Sequence, residues 1–188
     1  MDRISWDEYF LRIAYAVSAR SNCVRRQIGA VIVNDKIITS TGYNGTPMGI
    51  PNCFDGGCKR CNSDGPSGAN LDECICIHAE ENAIVFAARH GSSTSGATIY
   101  TTNKPCLGCL KKSIQAGIRR VVYAEQYAYT KSVEEVYNWL VEESGIEMSN
   151  IVRKLIAHMK WIASRKHWFI PPEIGQISLD ACPANRAV

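Results

Sequence analysis

Apolar positions along this chain switch repeatedly between helical spacing and short β-rich runs. Phe10, Ile13, Ala14 and Val17 recur at helical intervals, so the spacing predicts a first helix to about Arg20. Its start is marked by Ser5-Trp6-Asp7-Glu8, a capping box in which Ser5 serves the orphan amides and Glu8 reaches back. Ile28 to Val33 and Lys36 to Thr41 are β-rich runs joined at Asn34-Asp35, the pattern of a hairpin. Ala30-Val31-Ile32-Val33 is apolar on both faces, as in a strand with helices above and below. Gly42 to Leu71 has no periodicity and is rich in Gly, Pro, Asn and Cys. So long a loop in a compact domain is functional or held by a ligand. A helix is predicted from His78, with Ala83, Ile84, Phe86 and Ala87 on its apolar stripe, then a strand over Thr98 to Thr102. A second helix opens near Pro105, a residue suited to a first turn. Val121 to Ala124 reads as a strand and Val133 to Val141 as an amphipathic helix. Strands alternating with helices predict an α/β sandwich with a partly parallel sheet.

A different pattern follows. Ser149 to Arg165 is predicted to be helical, with Ile151, Leu155, Met159 and Ile162 on one stripe and Arg153, Lys154, Lys160 and Arg165 on a basic face. Trp168 to Val188, broken by Pro171-Pro172 and Pro183, reads as an extended arm or tail. The expected division is a domain over 1–148 with a Cys-rich insert at 42–76, then a helical extension and tail over 149–188.

Composition narrows the partners. A length of 188 residues with 46% hydrophobic content supports one full core. The net charge of +3 comes with no strongly basic block in the first 150 residues. That disfavours a nucleic-acid duplex, which needs a basic face, but suits a small phosphorylated substrate. Nine cysteines, an odd total, follow an N-terminus without an apolar run, and no segment reaches membrane-spanning length. The expectation is metal-bound thiolates in a reducing cytoplasm, with no membrane partner.

The chemistry concentrates in His78-Ala79-Glu80, answered by Pro105-Cys106-Leu107-Gly108-Cys109. His78, Cys106 and Cys109 are suitable zinc ligands, and three protein ligands leave a fourth position for water. Zinc lowers the pKa of such a water to about 7. Glu80, two residues after the ligand His, can move protons without ligating the metal. Both halves are expected at helix N-termini, where the dipole favours the thiolates. H-x-E paired with P-C-x-x-C is the known signature of zinc nucleobase deaminases.

On these residues the chain resembles the deoxycytidylate (dCMP) deaminases of the cytidine deaminase-like superfamily. The resemblance runs roughly from Ile4 to Ile151. It includes Ile4 to Phe10, Gly29 to Val33, Gly42-Tyr43-Asn44-Gly45-Thr46-Pro47, His78 to Ile84, Pro105 to Cys109 and Gln115 to Ile118. It implies a three-layer α/β/α sandwich with a mixed five-stranded sheet. It also implies hydrolytic deamination of dCMP to dUMP and ammonia by a zinc-activated water attacking C4, supplying dUMP for dTMP synthesis. Glu80 would shuttle the protons, while the Ala79 amide and the Cys106 backbone read the base edge. Asn44 would meet the sugar hydroxyl and Tyr127 the 5′-phosphate, although Tyr127 also reads as a half-buried aromatic after a strand. Arg25, Arg26 and Arg89 are candidate phosphate partners, because a guanidinium forks onto phosphate oxygens. The family commonly forms hexamers activated by dCTP and inhibited by dTTP with Mg²⁺, at a site built partly from the Tyr43 and Gly45 segment. Rival readings are a dCTP or dual dCMP/dCTP deaminase, a tRNA or single-stranded DNA deaminase, and a binding module without catalysis. The intact His78, Glu80, Cys106 and Cys109 argue against the last.

Seven thiols remain: Cys23, Cys53, Cys58, Cys61, Cys74, Cys76 and Cys182. Four thiolates close a structural zinc site that could hold a loop without secondary structure. Several dCMP deaminases carry a second zinc here, with ligands at positions matching Cys23 and Cys53. The favoured set is Cys23, Cys53, Cys58 and Cys76, with Cys61 and Cys74 as substitutes and free thiols as the alternative. Cys182 has no assigned role.

Overall fold

A computed structural model describes residues 3–66 and 68–151. Its first helix, α1 (Trp6–Ser18), starts where the capping box predicts, with the Ser5 hydroxyl accepting the Glu8 N–H at 3.2 Å. Glu8 also accepts a 2.6 Å bond from Arg12 one turn on. The buried stripe is Phe10, Leu11, Ala14 and Ser18, rotated slightly from the predicted one, and the helix stops short of Arg20. Strands β1 (Gly29–Asn34) and β2 (Ile37–Tyr43) form the expected antiparallel hairpin. Its turn sits one residue later than predicted, at Asp35-Lys36. Both residues have positive φ, 46° and 65°, as a two-residue hairpin turn requires. The pairs Asn34–Ile37 and Val33–Ile38 set that turn, and a register shift follows between Ile32 and Val33.

Helix α2 (Ala79–Arg89), β3 (Thr98–Asn103), α3 (Leu107–Gln115), β4 (Arg120–Glu125) and α4 (Lys131–Ser144) follow as the pattern predicts. A last strand, β5 (Glu147–Asn150), does not follow it. The predicted helix start at Ser149 is therefore corrected: Ser149 and Asn150 are extended and pair in parallel with Val122 and Tyr123. The expected domain limit at 148 falls inside this strand. The rest of the predicted basic helix, the proline-broken arm and Cys182 lie outside the described residues.

The strands are ordered β2-β1-β3-β4-β5, antiparallel across β2-β1-β3 and parallel across β3-β4-β5. This is the mixed five-stranded sheet. Strand β1 is buried along almost its whole length, which matches its two-sided apolar sequence. Ala30, Ile32, Ile99 and Val121 on one face pack with Ala79 and Ala83 of α2, Leu110 of α3 and Tyr137 of α4. Alternation turns Tyr100 to the other face, where its ring lies 5.2 Å from Phe10 of α1. Among the described residues the result is a three-layer sandwich with α1 alone on one side.

An ion cluster ties α1 to the parallel strands. Arg120 grips Asp7 with two bonds of 2.7 and 2.8 Å, reaches Glu147 at 2.8 Å, and Tyr100 donates to Asp7 at 3.0 Å. The pair is about one-quarter exposed, so solvent screens part of its attraction. Asp7→Asn is expected to cost about 1 kcal/mol in a denaturant melt, and less in high salt. An unchanged midpoint at low salt would show the cluster to be energetically idle.

Candidate active site

The site assembles at the carboxyl ends of the parallel strands, where open α/β sheets commonly bind ligands. His78 is the N-cap of α2 and Cys106 the N-cap of α3, so two helix N-termini converge there. The Nδ1 atom of His78 lies 3.4 Å from the Cys106 sulfur and 3.3 Å from the Cys109 sulfur. A zinc tetrahedron with bonds of about 2.0–2.1 Å to nitrogen and 2.3 Å to sulfur has N···S edges of about 3.5 Å. The three donors fit the ion in type and spacing. Cys109 is buried, Cys106 partly buried and His78 exposed, leaving one side of the triad open to solvent.

Local forces pre-set these ligands. The Cys106 sulfur accepts the Cys109 N–H at 3.4 Å in the first turn of α3. Its thiol is pushed down to about 4, chiefly by the hydrogen bond from the Cys109 thiol, with His78 and that amide adding. The same bond pushes the Cys109 thiol up. Lys112 of α3 pairs with Glu81 of α2 at 2.6 Å, which ties the two ligand-bearing helices together.

Glu80 is 4% exposed and sits in the first turn of α2. Burial raises its carboxyl above the usual carboxylate range, while the helix amide and His78 pull it the other way. Its carboxylate faces the Cys109 thiol, so it borders the triad as the signature requires. The Ala79 N–H is a first-turn amide with no intrahelical acceptor.

The remaining predicted residues divide. Tyr127 and Arg26 come together, with the guanidinium 5.9 Å from the ring centre. The Tyr127 hydroxyl bonds Tyr129 at 2.7 Å, and Tyr129 donates to the Pro105 carbonyl at 3.1 Å, one residue from Cys106. Burial holds the Tyr129 phenol up at about 12, with Cys106, Cys109 and Glu80 adding to the effect. Asn44 is instead a bracket. Its Oδ1 accepts from Ser21 at 2.7 Å and from the Ile28 N–H at 2.8 Å, while its Nδ2 donates to the Arg26 carbonyl at 2.9 Å. The other hydrogen of that amide takes no part in these bonds.

Arg25 is spent on the carbonyls of Cys61 and Ser63. Arg89 lies at the far end of α2, about 13 Å along the helix from Glu80. Within this chain neither guanidinium is brought to the triad. Gly45 has both backbone groups committed to Ile77, at 3.2 and 2.8 Å, and Tyr43 lends its carbonyl to Asn82 at 2.7 Å. Within this chain those atoms brace the Gly42 loop, because a bridge between two loops needs its backbone groups paired.

Sequence reasoning passed over Tyr129 and Lys104. The Lys104 ammonium lies 4.3 Å from the Tyr137 ring centre and 5.5 Å from that of Tyr129. The Tyr-x-Tyr spacing after a strand was the available signal. The favoured thiol set also changes: Cys61, not Cys58, joins Cys23, Cys53 and Cys76 within 4.8 Å, while Cys58 sits with Cys61, Cys74 and Cys76. A CxxC turn brings its two sulfurs to one centre, so Cys61 could not be left aside. All eight cysteines among the described residues are free thiols.

Residues 4–125 match the family model for the cytidine and deoxycytidylate deaminase zinc-binding region. The chain belongs to this family of zinc-binding deaminases. Its relatives there include deoxycytidylate deaminases. That of Saccharomyces cerevisiae is 50% identical over 125 residues, 66% of this chain and 39% of the yeast enzyme. The chain thus spans well under half the length of that relative. That of Mycobacterium phage D29 is 42% identical over 131 residues, 67% of this chain and 99% of the phage enzyme. The dCMP deaminase of cyanophage S-TIM5, solved in complex with dCMP and dUMP, superposes with a TM-score of 0.61 at 29% identity. It covers 80% of this chain and 100% of the cyanophage one.

Proposed function

We propose that this chain hydrolyses dCMP to dUMP and ammonia, with zinc held by His78, Cys106 and Cys109. The observation that carries the reading is the buried Glu80 bordering a three-donor triad with one open side. Relatives named deoxycytidylate deaminases, and a cyanophage dCMP deaminase that binds dCMP and dUMP, support the substrate. When bound, zinc supplies a Lewis acid that lowers the pKa of a water to about 7. Glu80 accepts a proton from the attacking water. It delivers that proton to N3 and then carries the proton of the new C4 hydroxyl to the C4 amine, so the C4–N bond breaks, the C4 carbonyl forms and ammonia leaves. The Ala79 amide and the Cys106 backbone border the base, and the pairing of Arg26 with Tyr127 supports a phosphate subsite. Arg26→Ala is expected to raise KM for dCMP about tenfold, a loss of about 1.4 kcal/mol. Deoxycytidine, which lacks the phosphate, should be processed as before; an unchanged KM for dCMP would remove Arg26 from the subsite.

The same reading includes a second, structural zinc in the Cys-rich insert. It extends to a regulated hexamer in the cytoplasm, with dCTP activating and dTTP inhibiting through Mg²⁺. The exposed Met48 and Val85, 75% and 51% accessible, support an assembly surface. Among the described residues no helix is long and apolar enough to cross a membrane. The test is ammonia release from dCMP, dCTP, deoxycytidine and a cytosine-containing oligonucleotide, with and without dCTP or dTTP. Preference for dCMP, raised by dCTP and lowered by dTTP, is expected. Preference for the triphosphate or the oligonucleotide would overturn the substrate reading.

A further inference from the structure

The Cys-rich insert has an interior made of sulfur. Its large apolar side chains face outward, with Phe54 60%, Leu71 58% and Ile75 43% exposed. Cys53, Cys58, Cys61 and Cys76 are buried together, and Cys23 and Cys74 pack against them. These six thiols form two groups of four, Cys23-Cys53-Cys61-Cys76 and Cys58-Cys61-Cys74-Cys76, each with all sulfurs within 4.8 Å of one another. Cys61 and Cys76 belong to both.

The spacings suit bonds to metal. Sulfur separations are 3.9 Å for Cys23–Cys61, Cys61–Cys76 and Cys58–Cys74, and 3.5 Å for Cys61–Cys74. The S···S edge of a zinc tetrahedron with 2.3 Å bonds is about 3.8 Å. Two tetrahedra sharing the Cys61–Cys76 edge account for all six sulfurs. A single ion does not. On the first four it leaves Cys58 wholly buried beside Cys74 without a ligand role, and on the second it leaves Cys23 and the wholly buried Cys53.

We propose that the insert holds two zinc ions bridged by the Cys61 and Cys76 thiolates, with Cys23, Cys53, Cys58 and Cys74 as terminal ligands. This goes beyond the single structural ion of the functional reading and does not depend on the chain's substrate. The charges balance. One ion on four thiolates displaces four protons and leaves a charge of about −2, with two thiols neutral. The second ion displaces the remaining two protons, so the cluster stays at about −2. A guanidinium lies at its rim, with Arg25 donating to the Cys61 carbonyl at 2.7 Å.

The experiment is metal counting on the full chain purified without added metal or chelator, followed by ¹¹³Cd exchange and NMR. Three zinc ions per chain are expected, one in the catalytic triad and two in the insert. Two cadmium resonances should show mutual ¹¹³Cd–¹¹³Cd coupling, which only shared sulfurs transmit. Cys106→Ser should lower the count to two and leave the coupled pair intact, while Cys61→Ser, which leaves Cys76 as the one shared sulfur, should reduce the coupling. Two ions per chain with no coupled resonances would overturn the proposal in the unmodified protein, whether or not Cys61→Ser folds. Three ions and a coupled pair in a chain that does not turn over dCMP would uphold the cluster and reject the activity.

Discussion

Glu80→Gln is expected to lower dCMP turnover by about 10²- to 10⁴-fold while zinc content and thermal stability stay at or above those of the unmodified chain. Glutamine keeps the shape and loses the capacity to carry a proton. Because Glu80 is 4% exposed and burial raises its carboxyl, the fold gains little from its charge, and an amide in its place relieves the desolvation. A residue kept for stability would give the opposite pattern, with a lower melting temperature and intact turnover. Measured side by side, kcat, zinc per chain and Tm separate the two roles. Near-normal kcat would remove Glu80 from proton transfer.

The second large effect is structural. Gly42→Ala is expected to cost about 3 kcal/mol, at the upper end for overpacking a close-packed seam. An added Cβ would lie 2.2 Å from the Ala79 carbonyl oxygen, 2.4 Å from the Ala83 nitrogen and 3.0 Å from the Ala83 Cα. These are backbone atoms of α2 that no rotamer change can clear. The seam is also stitched by Ser40 donating to the Ala83 carbonyl and Asn82 to the Tyr43 carbonyl, at 2.8 and 2.7 Å. Pushing α2 off β2 therefore displaces the first turn that carries Glu80, beside the His78 cap. A denaturant melt and the zinc content of the folded fraction read both consequences. A melt within a few tenths of a kcal/mol of the unmodified chain would show that the helix can shift freely.

Most of this architecture was legible because buried elements must repeat their apolar residues at the period of their own geometry. Strand β5 was not. Glu147-Met148-Ser149-Asn150 is a polar edge strand with no buried residue, and pairing with β4 rather than its own pattern makes it extended. The hairpin turn sits one residue later than read because the positive φ of Asp35 and Lys36 leaves no mark on hydrophobicity. The triad was legible for a different reason: a metal restricts both the type and the spacing of its ligands. Asn44 was harder, since a carboxamide can serve a sugar or three loop groups equally well, and only the fold brings Ser21, Ile28 and Arg26 to it. Arg25 and Arg89 are not brought to the triad within this chain, because the neighbours of a flexible cation are set by tertiary structure. Among six thiols, sequence could suggest a metal but not that two of them belong to both groups.

The bracket at Asn44 also bears on how this protein ages. Asn44-Gly45 is the dipeptide most prone to cyclise, when the glycine nitrogen attacks the side-chain amide carbon and ammonia is expelled. Here the amide is held by three bonds and the Gly45 nitrogen is tied to the Ile77 carbonyl, so the folded chain blocks that attack. Each excursion to an open state exposes it. The product carries a carboxylate or an isopeptide kink where the Arg26 carbonyl needs a donor, and the bracket cannot close again. Isoaspartate at position 44 would therefore accumulate as a chemical record of unfolding, making storage life a matter of opening rate as well as equilibrium stability.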